Sequence, residues 1–131
     1  MSRSAGEARP DTRLAVMAEV LYLANLMLAP GLAFLLIALL KWRWQRCAIP
    51  LAQNHIVQAF AGSLWAGVLL VGVNLLLVAT VGYSSPATWV IVILYFTCCH
   101  ASLILCGVIG LSRAISGQSF VYPLIGDRRY R

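Results

Sequence analysis

Apolar positions gather along this chain into three runs separated by short polar breaks. The first runs from Leu14 to Leu40, the second from Ile56 to Val81, and the third from Thr88 to about Leu111. At 1.5 Å per residue, helices over the second and third runs would reach about 39 and 36 Å. Both exceed the roughly 30 Å hydrocarbon core of a bilayer, so each is expected to cross it with some tilt. Tyr83-Ser84-Ser85-Pro86 between them reads as a short turn, which makes the pair an antiparallel hairpin. Pro86 suits the first turn of a helix, where its missing N–H costs nothing.

The first run holds Pro30-Gly31 at its middle, and Glu19 and Asn25 interrupt its apolar character. Proline removes a backbone hydrogen bond and clashes with the preceding turn, and glycine lets the chain reverse. Two forms fit: one kinked spanning helix, or a hairpin of Leu14–Leu28 and Gly31–Trp44 that enters the membrane and returns. A cleaved leader is disfavoured, because apolar character resumes after Pro30 as far as Leu40. The expected fold is an all-α integral membrane protein with three to four membrane helices in a single domain. Its parts are a polar tail (1–13), the broken segment (14–40), two transmembrane helices (56–81 and 88–112) and a cytoplasmic tail (113–131).

Composition sharpens this picture. Of 131 residues 61% are hydrophobic and 11% charged, against about 25% charged in an ordinary soluble domain. Mean hydropathy is +0.84. The stretch Cys47–Ser112 contains no Lys, Arg, Asp or Glu. The net charge of +6 would suit nucleic acid, but its distribution does not. Arg3, Arg9 and Arg13, then Lys41, Arg43 and Arg46, then Arg113, Arg128, Arg129 and Arg131 flank the apolar runs rather than line one face. Basic residues in such places set topology and meet lipid headgroups. The hairpin form puts all ten on one side of the membrane; a single span would split them three and seven. Trp42 and Trp44 at one end and Trp89 at the other fit aromatic belts.

Candidate chemistry is sparse. Cys47 stands in a basic loop, while Cys98, Cys99 and Cys106 lie in an apolar run with no CxxC pair. Neither a disulfide framework nor a zinc site is expected. Cys98-Cys99-His100 occupy consecutive helix positions about 100° apart, so they do not converge on one ion by themselves. His55 and His100 invite a haem or quinone reading. Within an antiparallel pair, however, they should lie about 18 Å apart in depth. Glu19, a carboxylate inside an apolar segment, is a functional hypothesis by default. Catalytic motifs are missing from the sequence, so no catalytic residue, metal or cofactor is expected.

Small residues recur on two of the expected helices. Cys98, Ser102, Cys106, Gly110 and Ala114 follow at intervals of four, and Ala59, Ser63 and Gly67 repeat the spacing. Such stripes admit a second helix at close range. They are read as packing surfaces, either between the two helices or toward another subunit.

One constellation is more specific. His55-Ile56-Val57-Gln58-Ala59 opens the second run, and Ala114, Gly117, Tyr122, Pro123 and Leu124 follow the third in the order Ala-x-x-Gly-x-x-x-x-Tyr-Pro-Leu. From about Leu14 to Ile125 the chain resembles the bacterial membrane-domain family numbered 4870. That family is related to the Tic-twenty subunit of the chloroplast import channel and to the magnetosome protein MamF. The family pattern has Glu where Gln58 stands and Asn at Ala61, which weakens any polar role implied for that helix. Gly117 is expected to end the third helix in a left-handed conformation, and Tyr122 to sit at headgroup level, with the tail lying beside the Lys41–Arg46 turn. The resemblance implies a fold rather than a reaction. The expected function is a non-catalytic subunit or assembly factor of a larger membrane complex. The alternatives are a translocation or pore component and a haem or quinone anchor. The expected partners are the lipid bilayer and other membrane subunits, without nucleic acid. The expected place is a bacterial inner membrane, or an internal membrane derived from it.

Overall fold

A computed structural model describes residues 10–46 and 50–130. Cys47, Arg3, Arg9, Arg131 and most of the polar N-terminal tail lie outside the described residues. Five α-helices follow in order: α1 (Pro10–Met27), α2 (Leu32–Trp44), α3 (Pro50–Gly67), α4 (Val73–Val81) and α5 (Pro86–Ile115). A π-helical segment, Val68–Gly72, joins α3 to α4 without a break, so Pro50–Val81 forms one long rod. Among the described residues there is no strand.

Pro30 marks a real interruption. The first helix ends at Met27 and the next begins at Leu32, and Gly31 turns the chain with φ 87°. The Asn25 side chain holds the turn by accepting from the Gly31 amide at 3.1 Å. α1 and α2 then pack on each other and on α3, so the broken segment is a helix–turn–helix rather than one kinked rod. α1 runs antiparallel to α5: Glu19 lies against Gly110, while the Leu26 carbonyl lies 3.1 Å from His100 Nε2. Its tip therefore reaches only the middle of the 30-residue α5.

The two long rods are the long, apolar elements. Among the described residues, Pro50–Val81 and Pro86–Ile115 are long and apolar enough to cross a membrane. Only 6% and 11% of their most apolar stretches are buried within the chain. Core helices of a water-soluble protein would be largely covered. Gly82, at φ 99°, opens the turn between the rods. Thr88 Oγ1 closes it by donating to the Gly82 carbonyl at 2.7 Å, and Trp89 Nε1 donates to the Tyr83 carbonyl at 3.0 Å.

The first of these rods starts at Pro50, six residues before the second apolar run. Gln53, Asn54 and His55, which precede that run, form helix, and Asn54 and His55 are buried. The core gathers where α1 is inserted between α3 and the second half of α5, around Tyr22, Ile37, Ile56, Leu103 and Tyr122. α4 and the first half of α5 stand above it as a two-helix hairpin.

Candidate functional site

The most polar part of the interior lies where α1, α3, α5 and the C-terminal segment meet. Glu19 on α1, His55 on α3 and Tyr122 in the segment after α5 are essentially inaccessible to solvent. Glu19 Oε1 lies 2.7 Å from His55 Nδ1, and the Tyr122 hydroxyl donates to the other carboxylate oxygen. His55 Nε2 lies 2.9 Å from the Gln118 carbonyl. Tyr22, one turn beyond Glu19, donates its hydroxyl to the Leu103 carbonyl at 3.1 Å, and its ring tilts against Tyr122 with centroids 5.1 Å apart.

Three glycines make room for this cluster. A Cβ on Gly110 would stand 2.6 Å from the Glu19 carboxylate; on Gly107 it would stand 2.7 Å from the Tyr22 ring; on Gly62 it would meet both tyrosine rings within 2.9 Å. α5 and α3 therefore carry no side chain at the points where α1 and the tail press closest.

The tail is held by its backbone. Asn54, His55 and Gln58 occupy one face of α3, and each bonds main-chain atoms of the segment after α5. Asn54 Oδ1 accepts from the Phe120 amide at 3.0 Å. Gln58 Nε2 donates to the Asp127 carbonyl at 2.6 Å, and its Oε1 accepts from the Asp127 amide at 3.1 Å. The backbone turns tightly here: Gly117 takes φ 67° to end α5, and Leu124 takes φ 66° at an exposed corner. Gly126 leaves room for the chain to pass, since a Cβ there would lie 2.6 Å from the Tyr122 backbone.

These placements revise several expectations. Gln58 is fully buried and carries three bonds to the tail. Tyr122 is buried, with its hydroxyl on Glu19. The tail docks across the first turns of α3, and Pro123 sits exposed in a turn of that tail. Glu19 is buried and paired.

The small-residue stripes divide. Gly110 and Ala114 are buried, Cys106 is half-buried, and Cys98 and Ser102 are exposed. Ala59 and Ser63 are buried, while Gly67 is exposed. The lower part of the α5 stripe faces α1, which lies between it and most of α3. His55 and His100 lie in separate surroundings, one against Glu19 and the other against the Leu26 carbonyl. Among the described residues no three His, Cys, Asp or Glu side chains come together to hold a metal ion. A comparison of the chain with protein-family models, with curated proteins and with solved structures gives no match.

Proposed function

We propose that this chain is a multi-pass protein of a bacterial inner membrane, or of an internal membrane derived from it, and serves as a non-catalytic subunit or assembly factor of a larger membrane complex. In this reading the rods Pro50–Val81 and Pro86–Ile115 span the bilayer, and the α1–α2 hairpin enters half way from the side that carries the basic residues. The family resemblance stays part of the proposal, supported by the left-handed Gly117 and the docked Tyr122.

One observation carries the reading. The polar side chains gathered at the lower end are turned inward and bonded within the chain, whereas the exposed large side chains of the upper hairpin are mostly apolar. Glu19, His55, Gln58 and Tyr122 bond within the chain and are buried. Leu75, Leu76, Ile91, Ile93 and Leu94 are exposed on α4 and the first half of α5, where among the described residues α4 packs on α5 alone beyond its own rod. In a bilayer such a surface meets lipid or the helices of another subunit. The translocation reading has less support, because three of the polar side chains along the long rods bond their own backbone. Asn74 donates to Leu70, Thr80 to Leu76 and Ser102 to Cys98.

Native electrophoresis of mildly solubilised membranes tests the proposal. The tagged chain is expected in a discrete assembly well above its 14.3 kDa mass. Ile93→Trp, on the exposed upper face, is expected to shift it toward the free chain. Migration as a free chain alone would overturn the subunit reading.

A further inference from the structure

A pocket of about 430 Å³ opens where the tip of the α1–α2 hairpin meets the middle of both rods. That volume lies within the usual range of small-molecule sites, about 300–1,000 Å³. Its walls are apolar except for three uncharged polar side chains, Asn25, Ser63 and His100, and Phe34 and Phe96 supply aromatic faces. No charged residue lines it.

The three polar groups are left incompletely used. Ser63 is only 4% exposed, and its hydroxyl is one of two buried side-chain polar atoms without a partner among the described residues. A helical serine commonly donates to the carbonyl four residues back. Ser102 and Ser116 do so in this chain, to Cys98 and Ser112; Ser63 does not. His100 Nε2 faces the Leu26 carbonyl and must carry the hydrogen, which leaves Nδ1 of the neutral ring as an acceptor. Asn25 uses its carbonyl oxygen for Gly31, which leaves its NH₂ to donate.

Depth selects the occupant. Ser63 lies near the middle of Pro50–Val81, and His100 near the middle of Pro86–Ile115. If those rods span the bilayer, as the proposed function holds, the pocket lies near its midplane. The ester carbonyls of a phospholipid stay at the interface, on the order of 15 Å away. An acyl chain reaches the pocket but leaves Ser63 unpaired. An uncharged ring that dissolves in the hydrocarbon and carries its own carbonyls meets every requirement. We propose that the pocket binds one quinone, its carbonyl accepting from Ser63 and Asn25 and its hydrophobic tail leaving through the open side into the lipid. In the reduced form a ring hydroxyl would donate to His100 Nδ1.

The test uses the full chain in phosphatidylcholine nanodiscs, an azido-quinone photolabel, and decylubiquinone or decanol as competitor. Resistance of the wild-type chain to carbonate extraction is scored first and separately, because its failure would count against the membrane reading whatever the label does. Labelling is expected on peptides containing residues 25–34, 63–71 and 96–100, displaced by decylubiquinone and not by decanol. Ser63→Ala should weaken that competition about tenfold, the equivalent of one lost hydrogen bond. Gly67→Phe should abolish the labelling, since a Cβ there meets nothing within 4 Å and the ring can occupy the pocket without disturbing the backbone. Label spread over the lipid-facing surface, uncompeted label, or competition unchanged in both variants would overturn the proposal and leave the pocket to lipid or water.

Discussion

His55 stands between two acceptors, the Glu19 carboxylate at Nδ1 and the Gln118 carbonyl at Nε2. Both bonds form only if the imidazole carries two hydrogens beside an ionised Glu19, or one hydrogen beside a protonated Glu19. In either state the pair holds one proton and has no net charge, which lets it lie in an apolar interior. Glu19→Gln keeps the geometry, because an amide can donate to Nδ1 and accept from Tyr122; the expected loss is about 1 kcal/mol. Glu19→Ala strands both partners and should cost about 3–5 kcal/mol. Denaturation of the detergent-solubilised chain compares the two variants, and equal losses would contradict the shared-proton account.

Burial, followed by the charge of Glu19, holds the Tyr122 hydroxyl well above the ordinary phenol range. The folded chain therefore keeps a proton that the unfolded chain gives up above about pH 10. The stability linked to Tyr122 is fully present below that pH and is lost as pH rises beyond it. Denaturation midpoints measured from pH 8 to 11 should fall at the alkaline end, and less steeply in Tyr122→Phe. Glu19, His55 and Tyr122 each stand out in the sequence, one as a carboxylate in an apolar run and two within a motif. Their convergence is not legible there, because the partners lie 36 and 103 residues apart and no local period links them.

At the scale of elements, the Pro30-Gly31 break and the Pro86 helix start are legible because proline and glycine act through their own backbone. The early start of α3 is not. Asn54 and His55 are polar and follow an uncharged stretch, and what buries them is a segment more than sixty residues away. The π-helical segment also leaves no mark in the hydropathy pattern. The α5 stripe shows how far spacing reaches: it identifies small residues suited to close packing without saying which helix arrives. Here α1 arrives with a carboxylate at Gly110. Gly110→Ala should cost about 1–3 kcal/mol by forcing Glu19 away from His55, and Gly110→Leu should prevent α1 from docking at all. Hydrogen exchange of the α1 and tail amides would report it. Unchanged protection in Gly110→Leu would mean that the close approach of α1 and α5 is absent in solution.

At the scale of the molecule, charge and packing agree. The basic residues flank the apolar runs, and the packed α1–α2 hairpin brings the first helix back to the end from which it entered. Insertion of α1 between α3 and the second half of α5 gives that end a four-helix core, while the other end remains a two-helix hairpin closed by Thr88 and Trp89. The sequence pattern marks which segments are apolar, but not that the first pair stops half way, which depends on Glu19, Tyr22 and His100 meeting their partners at particular depths.

The central claim is that α1 and α2 enter and return, leaving both ends of the chain on the basic side. In a background with the native cysteines replaced, single cysteines at Ser2, Ser84 and Ser119 would be exposed to a membrane-impermeant thiol reagent in intact cells. The account predicts labelling at Ser84→Cys alone, with Ser2→Cys and Ser119→Cys labelled only after the membrane is opened. Labelling of Ser2→Cys from outside would mean that the first segment crosses the bilayer, and would contradict the account.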